Sequence, residues 1–147
     1  MNMKGLAVAL CFSMGLVWTA GAGVATASAQ KSLYERLGGQ EAIVAVVEDF
    51  VGNVAADKRI NHFFSNADPK RVKAKLVEQI CAGTGGPCKY TGRDMKSVHK
   101  GMGISEDDWK AMVQDLNKSL RKFKVPKQEQ GELMAVIAPT KKDIVEK

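Results

Sequence analysis

From residue 40 onward, apolar side chains recur at the spacing that places them on one face of an α-helix. The first run, residues 43–54, predicts a helix that buries a broad stripe. A second run follows Asp68 and Pro69, which suit an N-cap and a first helical position. Its apolar members recur every fourth residue and are Val72, Leu76 and Ile80. Strict alternation, which marks half-buried strands, is not sustained, so the sequence predicts an all-α fold.

The second half of the chain shows the same period with clear helix boundaries. Ser105 precedes the acidic residues 106–108, and this order predicts a capped helix start because acids complement the helix dipole. Apolar residues continue that helix from Trp109 to residue 123. Pro126 opens a last helix, which Pro139 kinks or divides. There is no internal repeat and no linker, so we expect one domain over residues 30–147.

The first 29 residues have the pattern of a signal peptide. A short basic head ending at Lys4 is followed by uncharged residues 5–25, and then by the small residues Ala27, Ser28 and Ala29. We expect cleavage after Ala29 and export, with the bacterial periplasm as the destination. An uncleaved anchor is the alternative, since about 20 apolar residues span a bilayer. Only this segment would contact a membrane.

Charge and cysteine content narrow the class of protein further. The formal net charge is +6, but the lysines are scattered among acids and are not interleaved with aromatic residues. This favours a solvated surface, and we expect no nucleic-acid partner. Cys81 and Cys88 flank residues 82–87, and in an exported protein they form a candidate disulfide. Two independent thiols are the alternative.

The chemistry of the chain centres on His99. Gly85, Gly86 and Pro87 end the preceding helix, and a short helical segment that begins near residue 92 ends after the histidine. There His99 shares a face with Met95, beside Val98. It is either a core histidine or a metal ligand. Zinc would need three or four closely spaced ligands, whereas haem iron needs one strong protein ligand and an apolar pocket.

The run from residue 33 to about 144 resembles the group I truncated haemoglobins. The matching motifs occur in the family's order and are Leu33-Tyr34-Glu35-Arg36-Leu37-Gly38-Gly39, Val47-Glu48-Asp49-Phe50, Phe63-Phe64, Gly85-Gly86-Pro87, Tyr90-Thr91-Gly92, Met95-Lys96, His99 and Val136-Ile137-Ala138-Pro139. The resemblance implies a truncated globin, a two-over-two helical sandwich around haem. The cofactor is expected to be haem b held without a covalent bond, since the chain has no Cys-x-x-Cys-His.

The resemblance also implies a role for individual residues. His99 would be the proximal iron ligand through Nε2, with its Nδ1 proton given to a backbone carbonyl. Phe64 matches the phenylalanine that packs on the porphyrin. The proximal side and the haem edge would be lined by Tyr90, Met95, Val98, Ile104 and Trp109. Without haem, each of these residues would be an ordinary packing residue of the core.

The distal side departs from the pattern common in the family. Members often place a tyrosine after the Asp-Phe of the first long helix and a glutamine on the facing helix. Here Val51 follows Phe50, and the facing positions are Val72, Leu76 and Ile80. None can donate a hydrogen bond to a bound gas. We therefore expect fast O₂ release and relatively good binding of CO and NO.

Two polar residues lie near this pocket in the sequence, and we expect neither of them to point into it. Gln79 adjoins Ile80 and should face away, although a small rotation of the helix would turn its amide inward. His62 precedes the Phe63-Phe64 pair, and we expect it at the surface or the propionate edge rather than as a sixth iron ligand.

Three functions remain open from the sequence. The first is reversible binding of O₂, CO or NO at a pentacoordinate haem iron, as in oxygen transport. The second is a haem enzyme, an NO dioxygenase or a peroxidase-like protein, served by an unidentified reductase. The third is an interaction module that kept the fold without the cofactor, which His99, Phe64 and Met95 argue against.

Overall fold

The structure, a computed structural model, describes residues 30–147; the predicted leader and its cleavage site lie outside the described residues. Within that range the chain is helical without strands, which confirms the all-α prediction. The helices are joined by short connections, and the elements in order are α1 (Leu33–Arg36), α2 (Gly39–Ala56), a first 3-10 turn (Asn61–Phe64), α3 (Pro69–Gly83), α4 (Met95–His99), α5 (Glu106–Lys122), α6 (Lys127–Ile137), a second 3-10 turn (Ala138–Thr140) and α7 (Lys141–Ile144). No helix in residues 30–147 is both long and apolar enough to cross a membrane.

Helix α2 is the centre of the core and packs against both α3 and α5. It begins after Gly38, whose φ of 98° lies in the left-handed region that favours glycine. Its buried face is the stripe predicted from the spacing and comprises Ile43, Val46, Val47, Phe50 and Val54. Each fully buried Val, Ile or Phe contributes about 1.5–3 kcal/mol. The face therefore holds the helical layers together.

The predicted helix boundaries are confirmed where side-chain chemistry sets them. The Asp68 carboxylate accepts a hydrogen bond from the Lys70 amide at 3.0 Å, before Pro69 opens α3. Ser105 and Asp108 form a reciprocal capping box at the start of α5, with distances of 2.9 and 3.2 Å. Pro139 lies in the second 3-10 turn and separates α6 from α7.

A polar cluster between α2 and α5 fixes their relative position. The Asp49 carboxylate accepts hydrogen bonds from Ser119 Oγ at 2.8 Å and Asn53 Nδ2 at 3.1 Å, and it pairs with Lys122. These donors, Lys122 first, hold the pKa of Asp49 below its usual range. The carboxylate therefore stays ionised and joins the two helices beside the buried stripe.

The last residues of the chain return to the start of α5. The Glu146 amide donates to the Ile104 carbonyl at 2.8 Å, and the Glu106 amide donates to the Lys147 carbonyl at 3.2 Å. Lys141 also pairs with Glu106 at 2.6 Å. This segment therefore lies beside the loop that connects α4 to α5.

Candidate functional site

Helix α4 presents His99 from its last turn. Asp94 caps the helix by accepting a hydrogen bond from the Ser97 amide at 2.8 Å, and hydrogen bonding by Ser97 lowers the pKa of the Asp94 carboxyl. His99 Nδ1 lies 2.8 Å from the Met95 carbonyl oxygen. Because a carbonyl can only accept, this contact assigns the ring proton to Nδ1. Nε2 then keeps its lone pair for a metal.

The apolar residues that the sequence predicts around a haem at His99 differ in their burial. Ile104 and Trp109 are buried next to the loop that follows α4, and both lie apart from the main core. Met95 and Val98 are only half-buried, and no residue of α4 is buried. On the first 3-10 turn, Phe64 is 38% exposed. The described residues thus leave a set of apolar side chains partly uncovered.

These residues fit a flat apolar cofactor better than a bare ion. Residues 30–147 contain no group of three or more His, Cys, Asp and Glu side chains arranged for a metal. One imidazole is a sufficient protein ligand for haem iron, because the porphyrin supplies four others. A porphyrin would also cover apolar side chains such as Phe64 and Met95, which the folded chain leaves half-exposed.

The predicted distal residues on α3 become more buried from the start of the helix to its end. Ile80 is 7% exposed and packs in the main core, Leu76 lies at the edge of that core, and Val72 is half-buried near the start of the helix. Val51 of α2 also packs at the core edge. The structure therefore brings Val51, Leu76 and Ile80 to one apolar region, with Ile80 at its most enclosed end.

Gln79 lies on α3 next to Ile80. Its Nε2 is 3.6 Å from the Met95 sulfur, so the amide contacts α4. The inward rotation towards the distal residues that the sequence allows stays a prediction.

Tyr90 lies in the loop that leads into α4. Its hydroxyl donates to the Arg93 carbonyl at 2.8 Å, and burial raises the pKa of the phenol. The ring lies over Gly92, where an added Cβ atom would collide with the Tyr90 hydroxyl and ring. Only glycine fits there, which gives a physical reason for the Tyr90-Thr91-Gly92 motif.

A second contact that the sequence did not reveal holds the same loop to α3. Glu78 accepts hydrogen bonds from the Thr91 amide at 3.0 Å and hydroxyl at 2.8 Å, and it pairs with Lys75 at 2.9 Å. Lys75 first and Thr91 next lower the pKa of Glu78 to about 2. Since Glu78 and Thr91 lie thirteen positions apart, helical spacing could not indicate the pair.

The structure joins Cys81 to Cys88 by a disulfide, with their Cα atoms 5.7 Å apart. Cys81 is fully buried at the end of α3, and its carbonyl accepts a hydrogen bond from the Gly86 amide at 2.8 Å. A Cβ atom on Gly86 would be 2.5 Å from the Tyr34 ring. The loop towards α4 is therefore held by a covalent bond and by close packing on α1.

His62 lies at the surface. It is exposed, and its ring centroid is 4.0 Å from that of Phe63. Its surface position agrees with the expectation from the sequence.

An all-α domain with a histidine on a short helix, whose Nε2 has no hydrogen-bond partner in residues 30–147, together with partly uncovered apolar side chains, has the arrangement expected of a globin-type protein. Comparison with known families identifies it further: the chain belongs to the family described as bacterial-like globin, whose profile matches residues 32–146. Within it, the chain is similar to curated group 1 truncated haemoglobins. It is 39% identical to one from Mycolicibacterium paratuberculosis over 77% of this chain and 83% of the relative. It is 34% identical to one from Tetrahymena thermophila, covering 80% of this chain and 98% of the relative.

Solved structures agree with this family. The truncated haemoglobin of Tetrahymena pyriformis in its Fe(III) form has a TM-score of 0.76, with 33% identity over 80% of this chain and all of that chain. The 2/2 haemoglobin of a Synechococcus species, described in a cyanomet state with covalently attached haem, has a TM-score of 0.74 and 28% identity over the same shares. The two-over-two truncated globin fold is thus confirmed.

Proposed function

We propose that this protein binds haem b and uses it to bind O₂ and other diatomic gases reversibly. The observation that carries the proposal is His99, whose Nδ1 is held by the Met95 carbonyl at 2.8 Å and whose Nε2 has no hydrogen-bond partner in residues 30–147. Haem, when bound, supplies an iron with one coordination position for the protein and one for a gas. His99 would fill the first of these.

The other residues of the site would hold the porphyrin by packing. Phe64 lies on the first 3-10 turn, Met95 and Val98 lie on α4, and all three are apolar and incompletely buried. Ile104 and Trp109 supply a rigid buried support behind the loop. Tyr90 would contribute its ring, because its hydroxyl is occupied by Arg93. Covering the half-exposed members would contribute about 25 cal/mol per Å² of apolar surface.

The haem is proposed to be held without a covalent bond and to have five ligands before a gas binds. Both cysteines of residues 30–147 are used in the disulfide, so neither is a free thiol. The Synechococcus relative has covalently attached haem, and that feature is not proposed for this chain. His62 is exposed and packs on Phe63, which favours a pentacoordinate iron over a second histidine ligand.

The gas-binding side is proposed to be apolar. Val51, Val72, Leu76 and Ile80 carry no donor, whereas a hydrogen bond to a charged acceptor contributes about 1.5–3 kcal/mol. Without it, O₂ release should be roughly 10- to 100-fold faster than from a relative with a donor, since about 1.4 kcal/mol is a factor of ten. CO depends less on a donor. Gln79 also carries an amide on α3, but its Nε2 lies 3.6 Å from the Met95 sulfur, on the side that faces α4.

We also propose that residues 1–29 are a signal peptide and that the globin domain, residues 30–147, works in the periplasm. The Cys81–Cys88 disulfide supports export, because such bonds persist in oxidising compartments. N-terminal sequencing of protein from the periplasmic fraction should begin at Gln30. Full-length protein in the membrane fraction would instead favour the uncleaved anchor.

The function is tested by adding haem to the purified protein and recording absorption spectra of the ferric, ferrous, CO-bound and O₂-bound forms. We expect a stoichiometric Soret band, a ferrous high-spin spectrum, and reversible changes with each gas. Stopped-flow release of O₂ should be fast. A protein that takes up no haem, or a ferrous spectrum that does not respond to CO, would contradict the proposal.

A further inference from the structure

The loop that follows His99 is a tight turn with two glycines in the left-handed region. The Met102 amide donates to the His99 carbonyl at 3.1 Å, and Gly101 and Gly103 have φ values of 79° and 64°. Lys100 has φ −55° and ψ 125°, as the first central residue of a type II turn requires. The backbone of His99 is therefore part of the turn that ends α4.

A single carboxylate binds both glycines of this turn. Oε1 of Glu146 accepts a hydrogen bond from the Gly101 amide at 2.7 Å, and Oε2 accepts one from the Gly103 amide at 2.5 Å. These two amides keep the pKa of Glu146 below its usual range. The acceptor is therefore an ionised carboxylate, and both hydrogen bonds are charge-assisted. The carboxylate thus fixes the backbone on either side of Met102.

Glu146 is itself held in place. Its amide donates to the carbonyl of buried Ile104 at 2.8 Å, and the next amide, that of Lys147, lies 3.3 Å from the same oxygen. A Cβ atom on Gly103 would be 3.0 Å from the Lys147 ammonium group, which shows how closely the two segments pack. The carboxylate is therefore presented from a fixed backbone.

Helix α4 contacts α7 but has no buried face of its own. It is five residues long and buries none of them, and helices of this length are not stable by themselves. Asp94 fixes its first turn through the Ser97 amide. Its last turn, which carries His99, is fixed by the turn that Glu146 binds.

We propose that Glu146 is a positioning residue for His99. By holding the turn at Gly101 and Gly103, it sets the direction in which the imidazole Nε2 points towards the haem iron. This inference depends on the proposed function, because His99 must be the iron ligand for the direction to matter. It concerns a contact between residues 45 positions apart.

The test compares Glu146→Ala and Glu146→Gln with the parent, all loaded with haem. Glu132→Gln is the matched control, because Glu132 is also a carboxylate bound to a partner, Arg36, on a different helix. Two properties are measured: amide hydrogen exchange of Gly101 and Gly103 in the ferrous CO form, and the iron–histidine stretching band of the ferrous form by resonance Raman spectroscopy.

We expect about tenfold or faster exchange at both glycines in the alanine variant, together with a shifted or broadened iron–histidine band. The exchange rates and the band of the glutamine variant should lie between those of the alanine variant and the parent. Its single side-chain oxygen can replace only one of the two carboxylate oxygens that accept from Gly101 and Gly103. Glu132→Gln should leave both readouts unchanged even if it lowers stability.

The outcomes separate this inference from the proposed function. If the alanine and glutamine variants take up haem and keep the exchange rates and band of the parent, the positioning role is wrong and the gas-binding proposal stands. If exchange rises but the band does not change, Glu146 holds only the loop, and the positioning role is again wrong. A parent chain that takes up no haem overturns both proposals, and one haem titration identifies that case.

Discussion

The site depends on individual residues whose contacts decide what they can do. His99 has its Nδ1 occupied by the Met95 carbonyl, and this one bond makes Nε2 available to a metal. Leu76 and Gln79 lie within one turn of α3, yet the first packs at the core edge and the second faces Met95. A change of one side chain on this helix should therefore change the chemistry of the proposed gas-binding side.

Leu76→Gln should slow O₂ release. The new amide adds a donor to an apolar region, and a donor to a polarised ligand contributes about 1.5–3 kcal/mol. We expect roughly 10- to 100-fold slower release, with a much smaller effect on CO, measured by stopped-flow mixing. The control is Ala74→Gln, which puts the same amide on an exposed position of α3. Equal O₂ release in the Leu76 variant and the parent would argue against an apolar distal pocket formed by this residue.

Asp115→Asn should stabilise the protein at neutral pH. Asp115 is 7% exposed and its Oδ2 has no partner in residues 30–147; burial first, then the Asp57 carboxylate, raise its pKa above the ordinary 3.8. As pH rises from 3.8, the unfolded chain releases this proton while the folded chain retains it, so stability is lost through the folded pKa. An asparagine can donate to Asp57 without ionising.

The measurement is urea unfolding at pH 3 and pH 7. The Asp115→Asn variant should be more stable than the parent at pH 7, and the difference should nearly vanish at pH 3. Glu48→Gln, an exposed change on α2 that breaks no ion pair within residues 30–147, is the control and should show no such dependence. If the parent were the more stable protein at pH 7, the interpretation that ionised Asp115 destabilises the fold would be wrong.

At the scale of elements, the long helices and the short α4 are stabilised in different ways. Helix α2 is held by its own buried stripe, whose period is visible in the sequence. Helix α4 is held by its neighbours: the Glu78–Thr91 bonds, the disulfide and Glu146 all act on the loops at its two ends. We therefore expect changes in these neighbouring segments to alter helix α4, which carries His99.

Cys88→Ser should lower the free energy of unfolding by about 2–3 kcal/mol, because a short disulfide loop restricts the unfolded chain by about that amount. Buried Cys81 keeps its thiol, so the core is not made polar. The control is a reductant, which should bring the parent to the level of the variant and leave the variant unchanged. If unfolding of the parent does not respond to a reductant, the disulfide does not contribute to stability.

Most of the helical architecture could be predicted because local chemistry specifies it. Asp68-Pro69, the Ser105 capping box and Pro139 set boundaries within a few residues of sequence, and the structure confirms all three. The contacts that shape the site could not be predicted in this way. Glu146 reaches Gly101 from 45 positions away, and the orientation of Gln79 depends on how α3 packs against α4.

At the scale of the whole molecule, the main core and the helix that carries His99 occupy different parts of the fold. The buried cluster joins α2, α5, α6 and the end of α3, whereas α4 and the first 3-10 turn bury none of their residues. A domain of this size gains stability from any ligand that binds only the folded state. We expect haem to be such a ligand.

Haem should therefore raise the thermal midpoint. At a free concentration of about 100 times its dissociation constant, the stabilisation is about 2.7 kcal/mol. Iron-free protoporphyrin is the control, since it covers the apolar side chains without bonding to His99, and it should give a smaller rise. Both midpoints are measured by calorimetry. Equal rises with haem and with protoporphyrin would mean that the bond to His99 adds nothing to stability.

The most direct test of the central claim, that His99 is the iron ligand, is the absorption spectrum of haem-loaded His99→Gly protein with and without added imidazole. We expect the parent to have a ferrous histidine-bound Soret band, the variant to lose it, and imidazole to restore it by occupying the vacated volume. A variant that keeps the parent spectrum without imidazole would contradict the assignment of His99.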